Sequence, residues 1–147
     1  SIEMFEAVGE RYWPAYFETL RERLRPGAIA GLQIITIADG LFAEYRRQTD
    51  FIQKYIFPGG MLPSPGALRA EAERAGLALL GSVEFGESYS RTLREWRDRF
   101  QSQWDEICAL GFDDRFRRMW NFYLASCAAC FRAKTTDVTQ ISLQKPA

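Results

Sequence analysis

The sequence predicts an α/β layer sandwich, and three observations carry that expectation. Residues 28–37, AIAGLQIITI, are apolar on both faces, as a strand covered by helices on each side would be. Strand-like and helix-like segments alternate up to residue 85, the pattern of crossover-connected strands in one sheet. Two long amphipathic stretches follow, and then 137–143, DVTQISL, alternates as a half-exposed final strand does.

Residues 1–5 read as the tail of a strand that begins upstream of residue 1, followed by a loop carrying Glu6 and Gly9. From 12 to 25, Tyr16, Phe17, Leu20 and Leu24 recur at helical spacing; Pro14 sits near the start and Pro26-Gly27 ends the run. Helical spacing returns over 39–57, read as one helix with Leu41, Phe42, Tyr45, Phe51, Ile52, Tyr55 and Ile56 on its apolar side. The stretch 54–65, KYIFPGGMLPSP, then forces a turn at Pro58-Gly59-Gly60 and presents Met61 and Leu62 as an apolar lip. Ser64 caps a helix over 64–75, with Pro65 at its first position and Gly76 as its stop. A tight connection between packed helices and the rim of a greasy site are both open readings of that turn. A second strand covers 77–85. The helix over 90–110 has Leu93, Trp96, Phe100, Trp104 and Ile107 in one stripe, and the helix over 113–133 turns Phe116, Met119, Trp120, Tyr123, Cys127 and Phe131 inward.

A chain of 147 residues makes one ordinary domain, able to bury about two thirds of its unfolded surface. With 47% hydrophobic and 26% charged residues, and 19 basic against 19 acidic, it is neither disordered nor a broad nucleic-acid binder. Of the cations, 16 are Arg, whose planar forks suit carboxylates and phosphates, so lipid headgroups are possible neighbours. Aromatics at 14% suit a dense core or an acyl pocket. No apolar run approaches the roughly 20 residues of a membrane span. Three Cys fit reduced thiols in a cytosol better than a disulfide frame. The absence of His removes a Ser/His or Cys/His nucleophile pair, and with few thiols and scattered carboxylates no metal site is expected.

Taken singly, the polar and aromatic candidates have plain readings. Glu6 would be a solvated loop acid or a cap, Gln33 a strand residue bonded to a neighbouring loop, and Tyr89 a packing residue. Tyr123, Cys127 and Phe131 fall at core spacing. Arg91, Arg94, Arg97 and Arg99 read as a solvated helix face.

Five segments taken together say more. MFEAVG at 4–9, RPGAIAGLQIITI at 25–37, FIQKYIFPGGMLPSP at 51–65, SYSRTLREWRDRF at 88–100 and FYLASCAACFRAKTTDVTQ at 122–140 resemble, in this order and spacing, the C-terminal half of the cyclopropane-fatty-acyl-phospholipid synthases. That family includes the mycolic acid cyclopropane synthases and belongs to the S-adenosylmethionine-dependent methyltransferases. The resemblance implies that residues 1–147 are the C-terminal portion of one Rossmann-like class I methyltransferase domain, with strand 137–143 inserted antiparallel between 28–37 and 77–85. It places the family's glycine-rich cofactor turn and active-site cysteine upstream of Ser1. The chain alone is therefore expected to lack activity and S-adenosylmethionine binding, and to self-associate as a homo-oligomer through an open edge of strand 28–37.

The family reaction moves a methyl group from S-adenosylmethionine to the double bond of an unsaturated acyl chain, after which a proton leaves and a ring closes. The resemblance implies bicarbonate as the base, held by Glu6, Gln33, Ile35 and Tyr89. Gln33 stands where better-known members have His, which leaves a methylated, hydroxylated or unsaturated product open. The implied acyl wall is Phe57, Leu62, Leu93, Tyr123 and Cys127. Implied partners are the acyl chains of unsaturated phospholipids, met by a cytoplasmic protein at the inner membrane surface. A non-catalytic lipid-binding module, a helical interaction module and a small-molecule methyltransferase are the alternatives.

Overall fold

Three strands, β1 (Ile29–Ile37), β2 (Ala78–Glu84) and β3 (Thr136–Gln144), form one sheet in the computed structural model, which describes residues 1–147. The order is β1-β3-β2, and β3 runs antiparallel to both neighbours, as the resemblance implied. Leu32 faces Ile141 and Ile34 faces Thr139 across the β1–β3 ladder. These four side chains, with Leu143 and Thr36, are buried on one face, and the Thr36 and Thr139 hydroxyls satisfy each other at 3.1 Å. The opposite face of β1 is only half-buried at Gln33 and Ile35, so the strand is covered more fully on one side than its apolar sequence suggests.

The chain divides into two compact units, Ser1–Phe85 with Thr136–Ala147, and Gly86–Thr135. In the first, α1 (Trp13–Arg23) lays Phe17 against Phe5, ring centroids 5.4 Å apart, and Phe5 stacks on Trp13 at 5.3 Å. These rings join Leu32, Ile34, Leu68, Leu77 and Leu143 in the core. The 39–57 stretch is two helices, not one: α2 (Asp39–Tyr45) ends, and Asp50 opens α3 (Phe51–Tyr55) with a reciprocal capping box to Gln53. In α4 (Pro65–Arg74), the buried Ser64 hydroxyl accepts from the Ala67 amide at 3.2 Å, as the sequence predicts.

The outer edge of β1 is occupied at successive outward groups. Gln33 donates its amide to the Ser1 carbonyl at 2.9 Å and accepts from the Glu3 amide at 2.8 Å, forming a parallel bridge with Ile2. Ile35 donates to the Glu6 carboxylate and Ile37 to the Pro63 carbonyl. The edge is therefore not the open one expected above.

The second unit contains α5 (Gly86–Ser102), α6 (Trp104–Ala109) and α7 (Asp114–Arg132). The first of these begins four residues earlier than predicted and breaks at Gln103, so Tyr89 lies inside a helix rather than before one. α5 packs on α7: the Ser90 hydroxyl donates to the Ala128 carbonyl at 2.8 Å and the Tyr89 ring meets Phe131 at 5.6 Å. Leu93, Leu124, Ala128 and Phe131 are buried here. Phe116, Met119, Trp120, Tyr123 and Cys127 are only half-buried, so apart from Phe131 the fully buried face of α7 lies beside the expected one.

Candidate active site

A strand edge exposes an amide at every second residue, and a following parallel strand ordinarily takes them. At Ile35, two residues from the C-terminal end of β1, a side chain takes that place instead. Ile35 donates its amide to Glu6 Oε1 at 2.5 Å. The other oxygen, Oε2, is buried and has no hydrogen-bond partner. Ligands in open α/β sheets gather at the carboxyl ends of strands, and this carboxylate stands at one.

Its environment changes its acidity. Burial pushes the Glu6 carboxyl above the usual carboxylate range; the bond from Ile35 pulls it partly back, and the charge of Glu3 adds to the upward push. A carboxyl so placed can hold a proton near neutrality more readily than a solvated one.

The backbone of Glu6 is fixed separately. Glu6 belongs to a single 3-10 turn, Phe5–Ala7, too short to be rigid alone. Its carbonyl accepts from the Met61 amide at 2.9 Å, which ties it to the 58–62 turn. That turn needs its glycines. Gly59 has φ +83°, and a Cβ on Gly60 would lie 3.1 Å from the Phe57 carbonyl. Leu62 beside it is half-buried, and Phe57 is 58% exposed.

Gln33 shares the half-buried face of β1 with Ile35, and its amide is engaged on both sides. Nε2 donates to Glu3 Oε1 at 2.8 Å, and Oε1 accepts from Gln140 Nε2 at 2.9 Å. The structure thus brings together Glu6, Ile35 and the 57–62 turn, with Gln33 next along the strand. Tyr89, Leu93, Tyr123 and Cys127 belong to the other unit, where Tyr89 packs on Phe131 and Leu93 is buried.

Sequence reasoning missed four residues. Glu3 and Gln140 bracket Gln33, and Tyr45 and Gln53 hold the turn: Tyr45 Oη accepts from the Leu62 amide and from Gln53 Nε2, each at 3.2 Å. Burial pushes the Tyr45 phenol above the usual tyrosine value. The Asp50-x-x-Gln53 spacing is a capping-box signal that would have exposed Gln53. No group of three or more Cys, Asp or Glu is disposed to hold a metal.

The profile of the mycolic acid cyclopropane synthetase family matches residues 1–141. The chain belongs to this family. It is 43% identical over 144 residues to the tuberculostearic acid methyltransferase of Mycobacterium tuberculosis, a match that takes in 97% of this chain and 34% of that relative. Against the cyclopropane-fatty-acyl-phospholipid synthase of Escherichia coli K12 it is 34% identical over 146 residues, 96% of this chain and 35% of the relative. Among solved structures, a cyclopropane synthase from Mycobacterium tuberculosis superposes with a TM-score of 0.88 at 26% identity, over 99% of this chain and 54% of that one. A mycolic acid cyclopropane synthase complexed with SAH and CTAB gives 0.87 at 27%, with the same coverage. The fold is that of these methyltransferase-family structures. The chain spans about a third of the length of these curated relatives and about half of the solved ones.

Proposed function

We propose that this chain forms the C-terminal part of an S-adenosylmethionine-dependent transferase that adds a methyl or methylene group to the double bond of unsaturated acyl chains, with phospholipids as the substrate class and a cyclopropane as the product. The observation that carries this reading is the Glu6 carboxyl, anchored by the Ile35 amide and left with one buried oxygen lacking a partner. Its support is the family membership, together with relatives named as a tuberculostearic acid methyltransferase and a cyclopropane-fatty-acyl-phospholipid synthase and a relative solved with SAH and CTAB.

In this reading S-adenosylmethionine supplies an electrophilic methyl group and bicarbonate a base for the departing proton. The buried Glu6 Oε2 fits bicarbonate because an orphaned carboxylate acceptor suits its hydroxyl donor. The Ile35 amide fixes which Glu6 oxygen faces the site. Tyr89 is assigned as a phenol donor from its place in SYSRTL, and Gln33 as an amide neighbour. Phe57, Leu62, Leu93, Tyr123 and Cys127 would exclude water and line the acyl chain. Glu6→Gln in the full-length protein should lower product formation at least about a hundredfold, read by gas chromatography of lipid fatty acids. Activity within about threefold of wild type would sink the reading.

One observation favours a second product. The Gln33 amide is bound to Glu3 and Gln140 and, unlike imidazole, cannot change protonation near neutrality. A carbocation that loses a proton from an adjacent chain carbon instead of closing a ring gives a methyl-branched unsaturated chain, and a 43% identical relative is named a methyltransferase rather than a cyclopropane synthase. Mass spectra of the same lipid extracts separate the two. Gln33→His should raise the cyclopropane share if the amide directs branching, and an unchanged product ratio counts against that role.

No helix is long and apolar enough to cross a membrane. Contact with the lipid surface is assigned to exposed arginines such as Arg91 and Arg94, and a cytoplasmic location belongs to the same reading.

A further inference from the structure

We propose that Tyr45 and Gln53 are positioning residues for the Glu6 carboxyl, acting through the main chain of Gly60, Met61 and Leu62. The inference rests on the reading of Glu6 as the acid of the site.

Three consecutive turn residues are each tied outward. Gly60 accepts at its carbonyl from Gln53 Nε2 at 3.0 Å, Leu62 donates its amide to Tyr45 Oη at 3.2 Å, and between them Met61 donates to the Glu6 carbonyl at 2.9 Å. Gln53 also bonds Tyr45 Oη directly, so the two side chains form one bracket. The far end of that bracket is fixed as well. Asp50 donates its amide to Gln53 Oε1 at 3.0 Å, and Gln53 returns its own amide to Asp50 Oδ1 at 2.8 Å. Every polar group of the Gln53 amide is therefore used, which locks its rotamer.

Glu6 needs such outside support. Its own 3-10 turn is three residues long, and its two long-range bonds run to Met61 and Ile35. The second is made by the strand, which is rigid; the first is made by a glycine turn, which without a bracket would not be. A displacement of Met61 would swing the Glu6 main chain while Ile35 stays in place, and the carboxyl would leave its amide. Misplacements of about 1 Å can cost two orders of magnitude in rate.

The test uses the full-length protein with Tyr45→Phe and Gln53→Glu. The second keeps an acceptor for the Asp50 amide, and hence the helix cap, while removing both side-chain donors. Amide hydrogen exchange at Ile35, Met61 and Leu62 and the Glu6 titration followed by carboxyl carbon NMR are the readouts. We expect exchange at all three amides to accelerate at least about tenfold, the Glu6 midpoint to move, and kcat to fall at least about tenfold with KM within about twofold. Acceleration at Leu62 alone, with Ile35 and the Glu6 midpoint unchanged in both variants, would overturn the proposal. Glu6→Gln run beside them separates the two readings. Retained turnover in that variant defeats the acid role, whereas the exchange data on the other two decide the bracket.

Discussion

Glu6 holds two oxygens in opposite circumstances, one accepting a short bond from a strand amide and the other buried without a partner. Leaving a buried acceptor unpaired costs about 1–3 kcal/mol, and more when it is charged. The carboxyl answers by holding its proton to higher pH, with burial as the main cause. The folded state therefore binds the proton more tightly than the unfolded chain. Stability from this group is full below the ordinary carboxylate range and is lost as pH rises through the folded value. Gln at this position keeps an acceptor for Ile35 and does not titrate. The unfolding free energy of wild type relative to Glu6→Gln should thus decline as pH rises above the ordinary carboxylate range, measured by urea titration at several pH values. A difference that is flat, or that grows with pH, would mean the carboxyl is not held in this way.

The 54–65 stretch shows how a short element sets a site. Its Pro-Gly-Gly turn places Met61 and Leu62 where their amides reach Glu6 and Tyr45, and Ser64 then starts α4. Gly59 at φ +83° adopts a left-handed conformation that costs an L side chain about 1–2 kcal/mol. Gly59→Ala should lower stability by about that amount and loosen the Glu6 contact, while Ser64→Ala should cost about 1 kcal/mol through the lost cap alone. Thermal unfolding of both, with exchange at Met61, tells them apart; equal Met61 protection in the two would contradict the first. Both features were legible in the sequence because turn and cap chemistry are local. The strand order followed from the resemblance of the assembled segments. The break between α2 and α3 was not legible, since Tyr45, Phe51 and Ile52 keep apolar spacing across it and only the Asp50–Gln53 box marks it. Glu6 itself could not be read without the resemblance, because its partner Ile35 lies 29 residues along the chain. The same distance problem hid Gln140, 107 residues from Gln33.

At the scale of the molecule, the last strand to be written is the one on which the sheet depends. β1 and β2 do not pair with each other; β3 is the one strand that joins them, and it returns to the first unit after the helices of the second. Val138, Ile141 and Leu143 are buried along it. Losing one such side chain costs about 2–5 kcal/mol, so losing three approaches or exceeds the 5–15 kcal/mol that holds an ordinary domain folded. Ending the chain at Thr135 should therefore abolish the cooperative unfolding of the first unit and expose Trp13, now 2% exposed, to quenching by acrylamide. Removing only Pro146 and Ala147 should do neither. Lys145 would remain to accept from Gly27 and donate to Ala28, closing the β1 end of the sheet. A chain cut at Thr135 that kept a sigmoidal transition and a shielded Trp13 would show that β1, with Ser1–Glu3 and the aromatic cluster, is self-sufficient. The central strand would then be a late addition to the fold rather than its condition.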